Sequence, residues 1–166
     1  MKIQHLLIVF IGSLLLNSCS NDDDDDGDVQ TCPQTETVSM KINGELKQFE
    51  VNGRGIDLDN DGSGHTLSLW LLTGVFQPEQ DTYAITIKLP YKKTGTNIIE
   101  EFNYFRVQHG TSTNSDFVAQ GVLESNIITN TNLCFSATFS GSAIVNGNEI
   151  TITDGIIKHV YDDPFD

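Results

Sequence analysis

The residues with the clearest chemistry are Asp57, Asp59 and Asp61, alternate positions of the run D-L-D-N-D-G at 57–62. Calcium takes about six to eight oxygen ligands, and this run offers carboxylates at loop positions 1, 3 and 5 and a turn glycine, Gly62, at position 6. The match to a helix-flanked calcium loop then stops. Its twelfth position is Ser68 instead of glutamate, and its flanks read as strands. The competing reading is a polar hairpin loop, where Asp, Asn and Gly are the usual residues. Calcium is the one cofactor the chain suggests. His65, His109 and His159 lack the H-x-H and H-E-x-x-H spacings of transition-metal sites. Glu100 and Glu101 are adjacent, so on a strand they point to opposite faces and cannot act together. Ser63, between Gly62 and Gly64, lacks the spacing of a nucleophile elbow. No phosphate-binding glycine loop is present. The chain therefore reads as non-catalytic.

Two further features concern binding and covalent structure. Trp70 is the chain's single tryptophan. Exposed, its indole would stack on a sugar or anchor a partner; buried, it would belong to a second core layer. Cys32 and Cys134 form an even pair once Cys19 is assigned elsewhere, and in an oxidising compartment they are expected to form a disulfide.

Cys19 has a different role. The apolar stretch 6–16 follows Lys2 and is about half the roughly 20 residues a spanning helix needs, a length that suits a secretory signal. Leu16 stands three places before the cysteine and the small Ser18 directly before it, as in a lipobox. Residues 1–18 are thus read as a lipoprotein signal peptide, with acylation of Cys19 as the membrane anchor. Residues 19–34 form the lipidated, acidic tether, extended by its own like charges. Ser20, Asn21 and then Asp22, Asp23, Asp24, Asp25 and Asp26 resemble the export signal of Bacteroidota surface lipoproteins, which implies an outer-membrane, surface-exposed location.

The remaining 35–166 suit one domain large enough to bury a core. The formal charge of the whole chain is −14. Without the signal's lysine and the tether's six aspartates, 17 acidic residues face 8 basic ones. This excludes nucleic acid, which needs a basic footprint, and leaves an extracellular protein, a glycan or a small ligand as partner.

Apolar positions alternate throughout, and Gly, Asn and Asp interrupt them at short intervals, which is the signature of strands. Val38, Met40 and Ile42 lead into an Asn43-Gly44 turn of type I′, followed by a strand over 45–51. Leu67, Leu69 and Leu71 share one face of the next, with Trp70 and Leu72 on the other. Tyr83, Ile85, Ile87 and Leu89 alternate up to Pro90. Strands are predicted over 102–108 and 117–123, with a polar loop over 109–115 between them. In the last hairpin Phe135, Ala137 and Phe139 face one way and Cys134, Ser136 and Thr138 the other. Asn146-Gly147 turns the chain, Ile150 and Ile152 return along the apolar face, and Gly155 marks a bulge. About eight or nine short strands without helices give an all-β fold, an antiparallel β-sandwich or a β-barrel.

The F-S-A-T-F-S-G run at 135–141, the Asn146-Gly147 turn and I-T-I-T-D-G at 150–155 resemble the C-terminal signature of small Bacteroidota surface lipoproteins of unknown function. The lipobox, the tether and the strand ending in Asn43-Gly44 are similar too. This chain departs from the pattern after its final glycine, with Ile156 and Ile157 in place of an aromatic. The resemblance implies a sandwich or barrel at the cell surface and supplies no catalytic residues. The expectation is a lipid-anchored binding module. The alternatives are a lipocalin-like barrel carrying an apolar molecule and a secreted hydrolase of unrecognised type.

Overall fold

Period-two alternation puts one row of side chains inward and the next outward, and the chain obeys it in two layers. The computed structural model describes residues 31–58, 64–74, 81–108 and 111–165. The first sheet contains β1 (Thr37–Ile42), β2 (Glu45–Gln48), β6 (Gly95–Thr96), β9 (Gly121–Asn130), β10 (Cys134–Val145) and β11 (Asn148–Val160), in the order β2-β1-β11-β10-β9-β6. The second contains β3 (Glu50–Leu58), β4 (His65–Leu72), β5 (Thr82–Pro90), β7 (Glu101–Gln108) and β8 (Thr111–Asp116), in the order β3-β4-β5-β7-β8. The paired strands run antiparallel and the sheets do not close, so the fold is a sandwich; the barrel alternative falls.

The alternating sets meet between the sheets. Leu67, Leu69, Leu71, Ile85, Ile87 and Leu89 come from the second sheet, and Met40, Phe135, Ala137, Ile152 and Ile157 from the first. Each large side chain here contributes about 1.5–3 kcal/mol through burial. Phe139, Phe102 and Phe117 continue the layer, with ring centroids 5.2 Å apart for Phe102–Phe139 and 5.7 Å for Phe102–Phe117.

The turns agree with their residues. Asn43 and Gly44 have φ of 50° and 82°, and Asn146 and Gly147 have 51° and 78°. Positive φ at both central positions is the type I′ requirement that Asn-Gly meets. The bulge expected at Gly155 is present: Thr153 and Asp154 together oppose the single residue Ser140. Asp154 takes φ 51° there.

Three local expectations need correction. The strand placed over 45–51 is two strands in different sheets, and the chain crosses between layers at the buried Phe49. The described part of the expected loop over 109–115, residues 111–115, lies in β8. Its T-S-T-N-S-D sequence has no apolar alternation to read, because an edge strand needs little more than backbone pairing. The strand placed over 117–123 begins instead as a short helix, α1 (Phe117–Gln120). Asp116 caps it by accepting from the amides of Val118 and Ala119. This turn drops Phe117 into the core before β9 starts. Among the described residues the strands number eleven, more than the eight or nine expected.

Candidate functional site

Trp70 lies on the outer face of the second sheet. Its neighbours along β4, Leu69 and Leu71, are fully buried, whereas Trp70 is 57% exposed. The reading that placed it in a second core layer is therefore corrected; one face of β4 is sufficient to hold the strand.

The indole is positioned by a glycine. Gly53 pairs with Trp70 across the β3–β4 ladder, next to a register shift between Val51 and Gly53. A Cβ at Gly53 would come within 2.7 Å of Cε3 and 3.4 Å of Cζ3 of the indole. The six-membered ring therefore approaches the backbone of β3 at its Cε3 edge, and a side chain at Gly53 would push it away. On its other flank Trp70 pairs with Thr86, and Thr86 with Asn103. The neighbouring row runs Gly55, Ser68, Lys88 and Glu101. Lys88 Nζ lies 3.0 Å from Glu101 Oε1, and Asn103 Nδ2 donates to Glu101 Oε2 at 3.3 Å. In the next row Leu72, Ala84 and Phe105 pair in register, each half-buried. The result is an exposed indole between a row of hydrogen-bonding side chains and a half-buried apolar row.

The opposite face of the molecule is occupied by the chain itself. Cys32 is bonded to Cys134, with Cα atoms 5.7 Å apart. Residues 31–35 thereby cross the outer face of the first sheet above Ser136, Thr138, Ile156 and Lys158, enclosing a groove of about 370 Å³. Cys134 is fully buried although its side of β10 faces outward, because the arm covers it. Glu36 fixes the end of the arm: its Oε1 accepts from the amide of Val160 at 2.8 Å and sits 2.9 Å from His159 Nδ1. An open trough of about 730 Å³ on the same sheet passes the bulge, where Lys41 and Asp154 pair at 2.8 Å. Its aromatic lining residue, Phe139, is buried.

One cluster was missed by sequence reasoning. Arg54 points inward from the edge strand β3, with its guanidinium 4.4 Å from the ring centroids of both Tyr161 and Phe165. It donates to the carbonyl of Asp163. Tyr91 packs edge-on against Phe165 at 5.8 Å. Burial pushes the hydroxyls of Tyr91 and Tyr161 up from their ordinary range, opposed in each by the nearby Arg54 charge. This cluster ties the C-terminal tail over the open edge of the core. The sequence signal was weak: Tyr161 and Phe165 are four residues apart, but Arg54 and Tyr91 are distant from them along the chain.

The calcium expectation largely lies outside the described residues. Asp57 is exposed in β3, and Asp59 and Asp61 are not described. The flanking strands β3 and β4 are antiparallel neighbours, with Leu58 paired to His65. Among the described residues no group of three His, Cys, Asp or Glu side chains is placed to hold a metal ion. His65 is exposed at the start of β4. Cys19, Ser20, Asn21 and the aspartates 22–26 also lie outside the described residues. No family model, curated protein or solved structure matches the chain.

Proposed function

We propose that this protein is a non-catalytic, lipid-anchored lipoprotein of the outer membrane that binds an extracellular partner through the outer face of its five-stranded sheet. The observation that carries the reading is Trp70, exposed on the face opposite the one crossed by the disulfide-fixed arm. The tether of such a protein joins that arm, so the Trp70 face is free to point away from the anchored side. A large flat aromatic held at low entropy cost is the usual centre of a binding surface. A lipocalin-like carrier needs a closed barrel around a cavity of at least about 300 Å³, whereas the described strands form two unclosed sheets whose apolar side chains meet between them.

Two measurements test this. Whole cells expressing the chain are treated with protease and then fractionated. Shaving of the wild type from intact cells, and release of Cys19→Ala from the membrane fraction, are expected. Retention of Cys19→Ala in membranes or full protection from the protease rejects anchoring or display respectively. The binding half is read from the lone tryptophan. Crude extracellular matrix should shield Trp70 from acrylamide quenching; unchanged quenching counts against the platform.

A further inference from the structure

Resting on that reading of the Trp70 face, we propose that its ligand is a glycan chain, laid across the strands with one sugar ring stacked on Trp70.

The first argument is the posture of the ring. A protein hot spot inserts its tryptophan as a knob into a pocket of the partner. Here the indole lies against Gly53, which leaves no room for a Cβ beneath it. It is the Cε3 edge that meets Gly53, and the 57% exposed indole leaves ring surface open to the flat C–H face of a pyranose.

The second argument is what surrounds the ring. Among the described residues the other exposed large apolar side chains are Leu46, Val118, Val122, Ile128, Leu133, Ile144 and Val160. None of them is in the five-stranded sheet. A protein interface of standard size buries about 800 Å² per partner around an apolar centre. One indole beside the half-buried row Leu72, Ala84 and Phe105, amid Ser68, Thr86, Asn103 and the Lys88–Glu101 pair, is a small apolar centre for such an interface. The same face supplies neutral and charged hydrogen-bond partners for hydroxyl groups.

The third argument is length. Phe105 is on the same outward face, two strands and one row away, because Phe102 and Tyr104 of its strand point into the core. It is half-buried and is not among the side chains packed against that core. Strand spacing of ~4.8 Å and a rise of ~3.4 Å per residue put the two positions about 12 Å apart. A chain of several sugars spans that distance, and a monosaccharide does not. The site should therefore favour oligosaccharides over their monomers.

The test uses the full chain in a zwitterionic detergent, since alkyl glycosides would compete. A panel of soluble neutral and acidic polysaccharides is cast in native gels, and the fluorescence of the single tryptophan is titrated with the same polymers. At least one polysaccharide should retard the protein and shift its emission. Trp70→Ala should weaken retardation tenfold or more, with an unchanged unfolding midpoint because the indole is outside the core. Gly53→Ala keeps the tryptophan and lifts the ring, and should weaken binding severalfold.

Extracellular matrix treated with periodate or with protease separates the outcomes. Shielding of Trp70 that survives protease and is lost after periodate supports the glycan. Shielding lost after protease alone overturns the glycan and leaves the binding face standing. No shielding, no retarding polysaccharide and no effect of Trp70→Ala overturn both.

Discussion

Gly155 shows how much one residue carries in this fold. A Cβ there would come within 2.4 Å of Cε2 of the Phe139 ring and 2.6 Å of the Phe139 carbonyl. Backbone and a core ring must both shift to admit a methyl group, and overpacking of this kind costs about 1–3 kcal/mol. Gly155→Ala should therefore lower the urea midpoint by that equivalent. At Gly53 only the exposed indole gives way, so Gly53→Ala should leave the midpoint nearly unchanged; equal losses at both sites would discount this distinction. Tyr104 makes a pH prediction. Burial pushes its hydroxyl up to about 12, helped by nearby Tyr83 and Asp81 and opposed by Arg106. The unfolded chain loses this proton near pH ~10, and the folded chain holds it. The contribution is complete below pH ~10 and is lost as pH rises towards about 12. Tyr104→Phe should make the fall in stability between about pH 9 and 11 less steep, as read from urea midpoints at both values. A slope equal to the wild type's would refute the assignment.

At the scale of elements, the arm and the tail work as two fasteners. The arm is held by a disulfide between residues 102 apart in sequence. Closing so long a loop restricts the unfolded chain, and its loss typically costs about 2–5 kcal/mol. The double variant Cys32→Ser with Cys134→Ser should lose stability in that range. It should also open Ile156, half-buried in the groove under the arm, to solvent. The tail is held by Arg54, between two rings and against the Asp163 carbonyl. Arg54→Ala should raise hydrogen exchange at 161–165 while β10 and β11 stay protected. Exchange spreading equally into those strands would mean that the tail is not a separate unit.

At the scale of the whole molecule, the two outer faces have unequal roles. The first sheet's face carries the covalent arm; the second's carries the exposed indole. Under the proposed anchoring, a domain hung by its arm side would present the other to the medium. Reversing the arrangement is a direct check. Covering the Trp70 face with a bulky thiol reagent at Ser68→Cys should abolish shielding of Trp70 by matrix. The same reagent at Thr138→Cys, beneath the arm side, should leave the shielding intact.

The residues alone determined the layers. Strict alternation in 83–89 and 134–139 fixes which side chains turn inward, since a strand has only two faces, and Asn-Gly pairs fix two hairpins because few residues accept positive φ. The Cys32–Cys134 pair was legible because an even count in an oxidising compartment seeks a bond. Three things belong to the tertiary structure. The first is the sheet change at Phe49, which depends on where a second layer waits to receive the chain. The second is strand status for T-S-T-N-S-D, which comes from a neighbour's free backbone groups and not from its own side chains. The third is the exposure of Trp70: its pattern fits a covered face as well as an open one, and only the placement of Gly53 beneath it and of the arm on the far sheet decides between them.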